Sequence, residues 1–312
     1  MEAAWKSPLG SVRRWIVGRT VKDKQVRAAY LFILPALAYF GVHYIVPVLY
    51  DLYLTVFRFS YVEAPEFAGL EFYRAVFRDE LFWRSMRNTF YLALLSVPAI
   101  MALSLIVAAL LDGIKSRFIK NVFRTVYFLP VVTSGVAIAF VWSWLYEPSP
   151  NIGLINIVLY RLGLPTFNWL TSVQQVMPSI AIMNIWARLG FDMIIFMAGL
   201  QSIPEVYYEA ARIDGASRVR SFFHITLPLL NPQIVLVAVY EVINVLKTFD
   251  IPYVATDGGP ANASRVAVLH IYDQAFRFNA LNEATVAALI LFAIILLVTV
   301  LQWRLLNRPV EY

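Results

Sequence analysis

Six polar side chains stand at helical spacing in and just beyond two strongly apolar stretches. Asn184, Arg188 and Asp192 fall at i, i+4 and i+8 within residues 176–200, with Phe191 beside them. Glu241, Asn244 and Thr248 fall at i, i+3 and i+7 along residues 229–246 and just past their end. Each set therefore shares one face of a helix. Amides, a carboxylate and a guanidinium can hydrogen-bond the hydroxyls of a polar solute while an aromatic such as Phe191 covers a ring face. Polar groups inside apolar spans are costly and mostly face a bundle interior or a cavity, so the two stripes mark a candidate solute path. The same residues have a second use, in which Arg188 pairs with Asp192 or Glu241 to hold helices together.

Other chemistries find little support. The only acids placed for membrane-embedded catalysis are Asp192 and Glu241, and no nucleophile or metal set accompanies them. There is no cysteine, and His43, His224 and His270 lack the spacing of a local metal pair. No GxxxxGK[ST] phosphate loop occurs, so ATP hydrolysis would have to come from another subunit.

The elements that carry these stripes must be membrane helices. Of the 312 residues 60% are hydrophobic and only 15% charged, with a mean hydropathy of +0.66, more apolar than a soluble core of this size requires. Runs able to cross the bilayer, about 20 residues each, occur near 30–50, 89–111, 122–145, 176–200, 229–246 and 284–303. Alternating strands of the barrel type are absent. The expected fold is an all-α polytopic membrane protein with six transmembrane helices, one domain over residues 29–312 after a basic N-terminal segment, 1–28. That segment is too long and too charged for a cleaved signal peptide. With both termini inside, Lys and Arg number 16 inside against 8 outside, which follows the positive-inside rule. The net charge of +6 mostly records that topology, so no nucleic-acid partner is implied. Prolines 35, 47, 98, 130, 178, 228 and 232 fall at or inside the spans as kinks or hinges, and Trp142, Trp144 and Trp169 are expected as interface anchors.

One polar stretch, "EAARIDGASRVRSFFHITLPLL" (209–230), interrupts the apolar chain. Ser202 and Glu205 have capping-box spacing, which predicts a short helix to about Asp214, closed by Gly215 in the left-handed conformation. Ser217 is a candidate N-cap for a second short helix bearing Phe222, Phe223 and Ile225. The product is a helix–turn–helix knob on the cytoplasmic face. Small residues at Ala210, Ala211 and Gly215 would let a partner approach closely, and Glu209, Arg212 and Asp214 would be read by it.

This stretch resembles the EAA motif of binding-protein-dependent ABC importer permeases, matching at Glu209, Ala210, Ala211, Asp214, Gly215, Ala216, Phe223, Ile225, Leu227, Pro228 and Pro232. "GLQSIPEVYYEAA" and "FDIPYVATDGGPANAS" (249–264) are similar to the carbohydrate-uptake subclass that includes maltose and glycerol-3-phosphate permeases. The resemblance implies an inner-membrane, six-helix permease that is not itself an enzyme. Its implied partners are a second homologous permease, two ATPase subunits that carry ATP and magnesium, and an extracytoplasmic solute-binding protein. No cofactor is implied in this chain. The loop 201–228 would be the coupling helix docking in the ATPase. An ungapped match to the maltose-type substrate positions falls on Asn184, Ala187, Arg188 and Phe191, and on Glu241, Asn244, Val245 and Thr248. That implies a sugar, oligosaccharide or related polyol. The family usually has uncharged residues at Arg188 and Glu241, and Arg188 would suit an anionic solute, an acidic sugar or glycerol phosphate, unless Glu241 neutralises it.

Overall fold

The computed structural model describes residues 21–59 and 64–306, nearly all of them helical. The chain divides into two compact units, Met1–Phe67 and Ala68–Tyr312.

In the first unit, α1 (Val21–Phe40), a π-helical turn (Gly41–Ile45) and α2 (Val46–Leu54) run on into one another. The 30-residue stretch Gln25–Leu54 exposes large apolar side chains all round, including Leu31, Phe32, Val42 and Leu49. A helix apolar on every face needs lipid or protein about it. Pro47 stands in the first turn of α2, where its missing N–H is no loss. A two-stranded antiparallel ribbon follows, β1 (Phe57–Arg58) with β2 (Glu66–Phe67), pairing Phe57 with Phe67. Most of the expected N-terminal segment 1–28 lies outside the described residues, but Val21 is already helical, so the helix starts well before residue 30.

In the second unit α3 (Glu71–Arg78) leads into α4 (Glu80–Asp112), whose N-terminus is capped by the Asp79 carboxylate accepting from the Leu81 amide at 2.7 Å. α4 lies along α8 (Val176–Ser202), with Ile100, Ile180 and Met183 buried among their neighbours. Between them come α5 (Arg117–Phe128), a 3-10 turn (Leu129–Val132), α6 (Gly135–Leu145) and α7 (Leu154–Arg161). After α8 follow α9 (Glu205–Ile213), α10 (Arg218–Ser221), a π turn (Phe222–Thr226), α11 (Leu227–Leu229) and α12 (Asn231–Leu246). The chain closes with α13 (Asp250–Thr256), α14 (Ala267–Tyr272), a π turn (Asp273–Arg277) and α15 (Leu281–Leu306).

Four helices among the described residues are long and apolar enough to cross a membrane: Gln25–Leu54, Glu80–Asp112, Val176–Ser202 and Leu281–Leu306. The third expected span is instead a pair, Arg117–Val132 and Gly135–Leu145, bent by 102°. Thr133 and Ser134 are extended there, with ψ of 138° and 137°, and Pro130 starts the turn that precedes them. The fifth expected span is shorter than its apolar run, because the helix restarts at Asn231 with Pro232 in its first turn and leaves 16 residues.

Two of the three tryptophans expected at the interface pack inward instead. Trp142 meets Trp186 edge-on at 5.9 Å, and Trp169 stacks on the buried Tyr146 at 4.7 Å. Asn156 explains the second: fully buried, it gathers the carbonyls of Pro148 and Phe167, the Phe167 amide and the Trp169 indole N–H within 3.1 Å. Trp144 alone stays exposed, as a lipid-facing anchor would.

Candidate functional site

α8, α12 and the broken third span enclose a cavity of 460 Å³. From α8 come Asn184, Ala187, Arg188 and Phe191; from α12 come Tyr240, Glu241 and Asn244; Lys247, Thr248 and Asp250 follow the end of α12. Pro130, Thr133 and Gly135 line it at the break. Breaking a helix at membrane depth is tolerated where the freed backbone faces a cavity, which is the situation here. Seven of the eight positions implied by the family resemblance thus border one space.

Val245 does not. It is 1% exposed and packs in the core with Ile180 and Met183, because one residue beyond Asn244 turns about 100° round the helix, away from the cavity. Asp192 also misses the cavity and is fully buried.

A forked ion pair stands in the cavity wall. Arg188 Nε donates to Glu241 Oε2 at 2.5 Å and Nη2 donates to Oε1 at 3.0 Å. Glu241 is fully buried, whereas the arginine side chain keeps 24% exposure. The guanidinium carbon lies 5.6 Å from the centre of the Tyr240 ring, which in turn meets Phe191 at 5.0 Å. Two aromatic faces and a neutralised charge pair therefore sit side by side. Asn184 donates to the Ile180 carbonyl at 3.1 Å and Asn244 to the Tyr240 carbonyl at 2.8 Å, so each amide oxygen remains an acceptor. Sequence reasoning missed Tyr240, Lys247 and Asp250. Tyr240 adjoins Glu241 and was legible as an aromatic beside the stripe; Lys247 and Asp250 lie off the helical face shared by Glu241, Asn244 and Thr248 and border the cavity because the helix ends at Leu246.

The polar stretch forms a protruding knob. α9 ends in a Schellman motif: the Ala216 amide donates to Ala211 O at 2.8 Å, the Gly215 amide to Arg212 O at 3.1 Å, and Gly215 has φ +75°. Ser217 caps α10, accepting from the Arg220 amide at 3.3 Å. The capping box at Ser202 does not form. α8 continues through Ser202, whose hydroxyl donates back to Gly199 O at 2.7 Å, and Pro204 takes the N-cap position of α9 without a side-chain bond. Glu209, Ala210, Arg212, Asp214 and Gly215 are exposed, while Ala211 turns into the knob and is buried. Val206, Ile213, Val219 and Phe223 add exposed apolar surface, and the Tyr208 hydroxyl meets Thr226 Oγ1 at 2.9 Å, tying α9 to the π turn.

At the opposite end of α12 the turn 257–264 is anchored to α4. Asn88 donates to the carbonyls of Asn262 and Arg265 at 3.0 and 2.9 Å, and Thr89 Oγ1 accepts from the Ala267 amide at 2.8 Å. Arg265 pairs with buried Asp273, and His270 Nε2 lies 3.4 Å from Asp79 Oδ2. Burial holds the His270 pKa below its ordinary value, reinforced by Arg265 and opposed by the Asp79 and Asp273 carboxylates.

Residues 88–312 match the family described as binding-protein-dependent transport system inner membrane component. The chain is similar to the sulfoquinovosyl glycerol transport system permease protein SmoG of Agrobacterium fabrum, with 34% identity over 94% of each chain. It is 32% identical to the lactose transport system permease protein LacF of Rhizobium radiobacter, over 88% of this chain and 91% of LacF. Among solved structures, a bacterial ABC transporter involved in import of the acidic polysaccharide alginate superposes with a TM-score of 0.77 at 25% identity, covering 92% of this chain and 98% of that one. The all-helical fold, the multi-pass apolar helices and these matches agree: the chain belongs to the binding-protein-dependent transport system inner membrane components and is a permease subunit of an ABC importer.

Proposed function

We propose that this permease forms, with a second homologous permease, the membrane path for a neutral polyhydroxylated solute, a sugar, oligosaccharide or related polyol, and that the α8–α12 cavity is this chain's part of the path. The observation that carries the choice of solute is the Arg188–Glu241 fork. The carboxylate occupies two of the donors with which the guanidinium would grip an anion, and the cavity's charged groups, Arg188 and Lys247 against Glu241 and Asp250, cancel. What is left suits hydroxyls: free amide oxygens on Asn184 and Asn244, the outer N–H groups of Arg188, and the Tyr240 and Phe191 rings.

The exposed knob at Glu209, Ala210, Arg212, Asp214 and Gly215 docks in one of two ATPase subunits, which carry ATP and magnesium. An extracytoplasmic binding protein delivers the solute to the other face. The chain lies in a bacterial inner membrane with both termini cytoplasmic, as its Lys and Arg distribution favours. The test is ATPase activity of the complete reconstituted complex with its binding protein, screened over neutral sugars, acidic sugars and glycerol phosphates. Stimulation by neutral sugars is expected. Stimulation confined to the anions would overturn the neutral assignment and make Lys247 and Arg188 the anion ligands.

A further inference from the structure

The 3-10 turn Leu129–Val132, at the break of the third span, has two sides. Pro130 and Val131 border the α8–α12 cavity. Leu129 and Val132 border a separate groove of 300 Å³, together with Arg124, Thr125 and Phe128 of α5 and Ile194 of α8. The turn is thus a wall one chain thick between two spaces. The groove is polar at one end and apolar along the rest: Arg124 and Thr125 come first, then Phe128, Leu129, Val132 and Ile194. Leu129 and Val132 are 63% and 69% exposed, and the apolar side chains of Phe118, Val122 and Val126 lie exposed on the same helix.

Half-buried Arg124 has neither an ion pair nor a hydrogen bond among the described residues, whereas Lys120, one turn earlier, has Asp112. It stands about 10 Å along α5 from Arg117, on one half of a bent apolar span, where a cation without an anion is costly. The anion must come from outside the chain, and it must bring apolar surface with it. A lipid does both. Exposed Lys115 and Arg117 draw anionic lipid to the same end of α5, the inner-leaflet end by the distribution of Lys and Arg. We propose that the groove is a phospholipid site. The phosphate of an anionic lipid pairs with Arg124, and one acyl chain lies along Phe128, Leu129, Val132 and Ile194, backing the wall whose other side lines the cavity. The site needs only the membrane placement of the chain and stands whether or not the cavity carries solute.

The experiment reconstitutes the complete complex in phosphatidylcholine vesicles containing roughly a third phosphatidylglycerol, extracts it in detergent at raised salt, and counts both lipids retained per complex by mass spectrometry. Wild type should retain phosphatidylglycerol well above its share of the vesicle. Arg124→Gln should lower that preference about fivefold, the worth of one cation at a lipid phosphate. Raised salt screens the exposed cations, so Arg117→Gln, outside the groove, should change it less than about twofold. Equal preference in wild type and Arg124→Gln, or equal losses in Arg124→Gln and Arg117→Gln, would overturn the site. Release of the second permease by Arg124→Gln, with lipid retention unchanged, would mean that protein fills the groove and would also overturn it. Should Arg124→Gln fail to assemble, Leu129→Trp carries the test, since it fills the groove and keeps the charge. Its preference should fall as well, and an undiminished one sinks the proposal.

Discussion

Replacing Gly190 with alanine should loosen the packing beside the ion pair, by an amount set by backbone geometry. A Cβ at Gly190 would lie 1.9 Å from the Tyr127 carbonyl oxygen, 2.6 Å from its carbon and 3.0 Å from Phe128 Cα. All three atoms belong to main chain at the end of α5, so no side-chain rotation relieves the overlap. The helices must part by about 1 Å, at an overpacking penalty near the upper end of about 1–3 kcal/mol. Alanine's better helix propensity, about 1 kcal/mol, offsets part of this and leaves a net loss of about 2 kcal/mol. For a unit of this size that is about 4–8 °C in the unfolding midpoint. Gly41→Ala is the matched control, since a Cβ there meets nothing within 4 Å. Midpoints are read from the monodisperse fraction surviving heating in detergent. A Gly190→Ala midpoint equal to or above that of Gly41→Ala would refute the reasoning.

Three further outcomes rest on the same packing. Gly215→Val forces a β-branched residue into φ +75° and should disrupt the cap of α9 by about 1–2 kcal/mol, so that the protein inserts but solute uptake per ATP hydrolysed falls; unchanged coupling in vesicles would remove the knob from the docking role. Glu241→Ala leaves the part-buried Arg188 guanidinium without its hydrogen-bonded partner, only the Asp192 carboxyl remaining near it, and should lower stability by about 3 kcal/mol, more than the double change with Arg188→Ala; equal midpoints would argue against the pair. Because the folded-state pKa of His270 is depressed, the folded chain binds fewer protons than the unfolded one. Stability is then whole above about pH 6.5 and declines as pH falls below it, a decline His270→Gln should flatten in thermal melts from pH 7 to 5.

The polar stripes were legible because helical periodicity survives any tertiary arrangement: Asn184, Arg188, Glu241 and Asn244 needed only their spacing. Val245 came from matching positions without regard to helix phase, and the core claimed it. The turn at Gly215 followed from local stereochemistry, whereas Ser202 faced two local choices, capping α9 or bonding back to Gly199, and the continuing apolar surface of α8 decided it. Pro130 signalled a break in the third span, but its 102° bend depends on how both halves pack, which no local signal carries. The Arg188–Glu241 contact lay open in the sequence for the same reason, since 53 residues separate the two partners.

The shortness of α12 has an electrical consequence. Its 16 residues rise about 24 Å, against about 30 Å for the hydrocarbon layer, and its C-terminal end opens into the cavity. Transmembrane voltage drops mainly across the insulating thickness that remains, so the field is concentrated on the stretch holding Arg188 and Glu241. Voltage does work only on net charge. A fork that sums to zero gives that voltage no net charge to act on, so the pair can stay closed at any membrane potential.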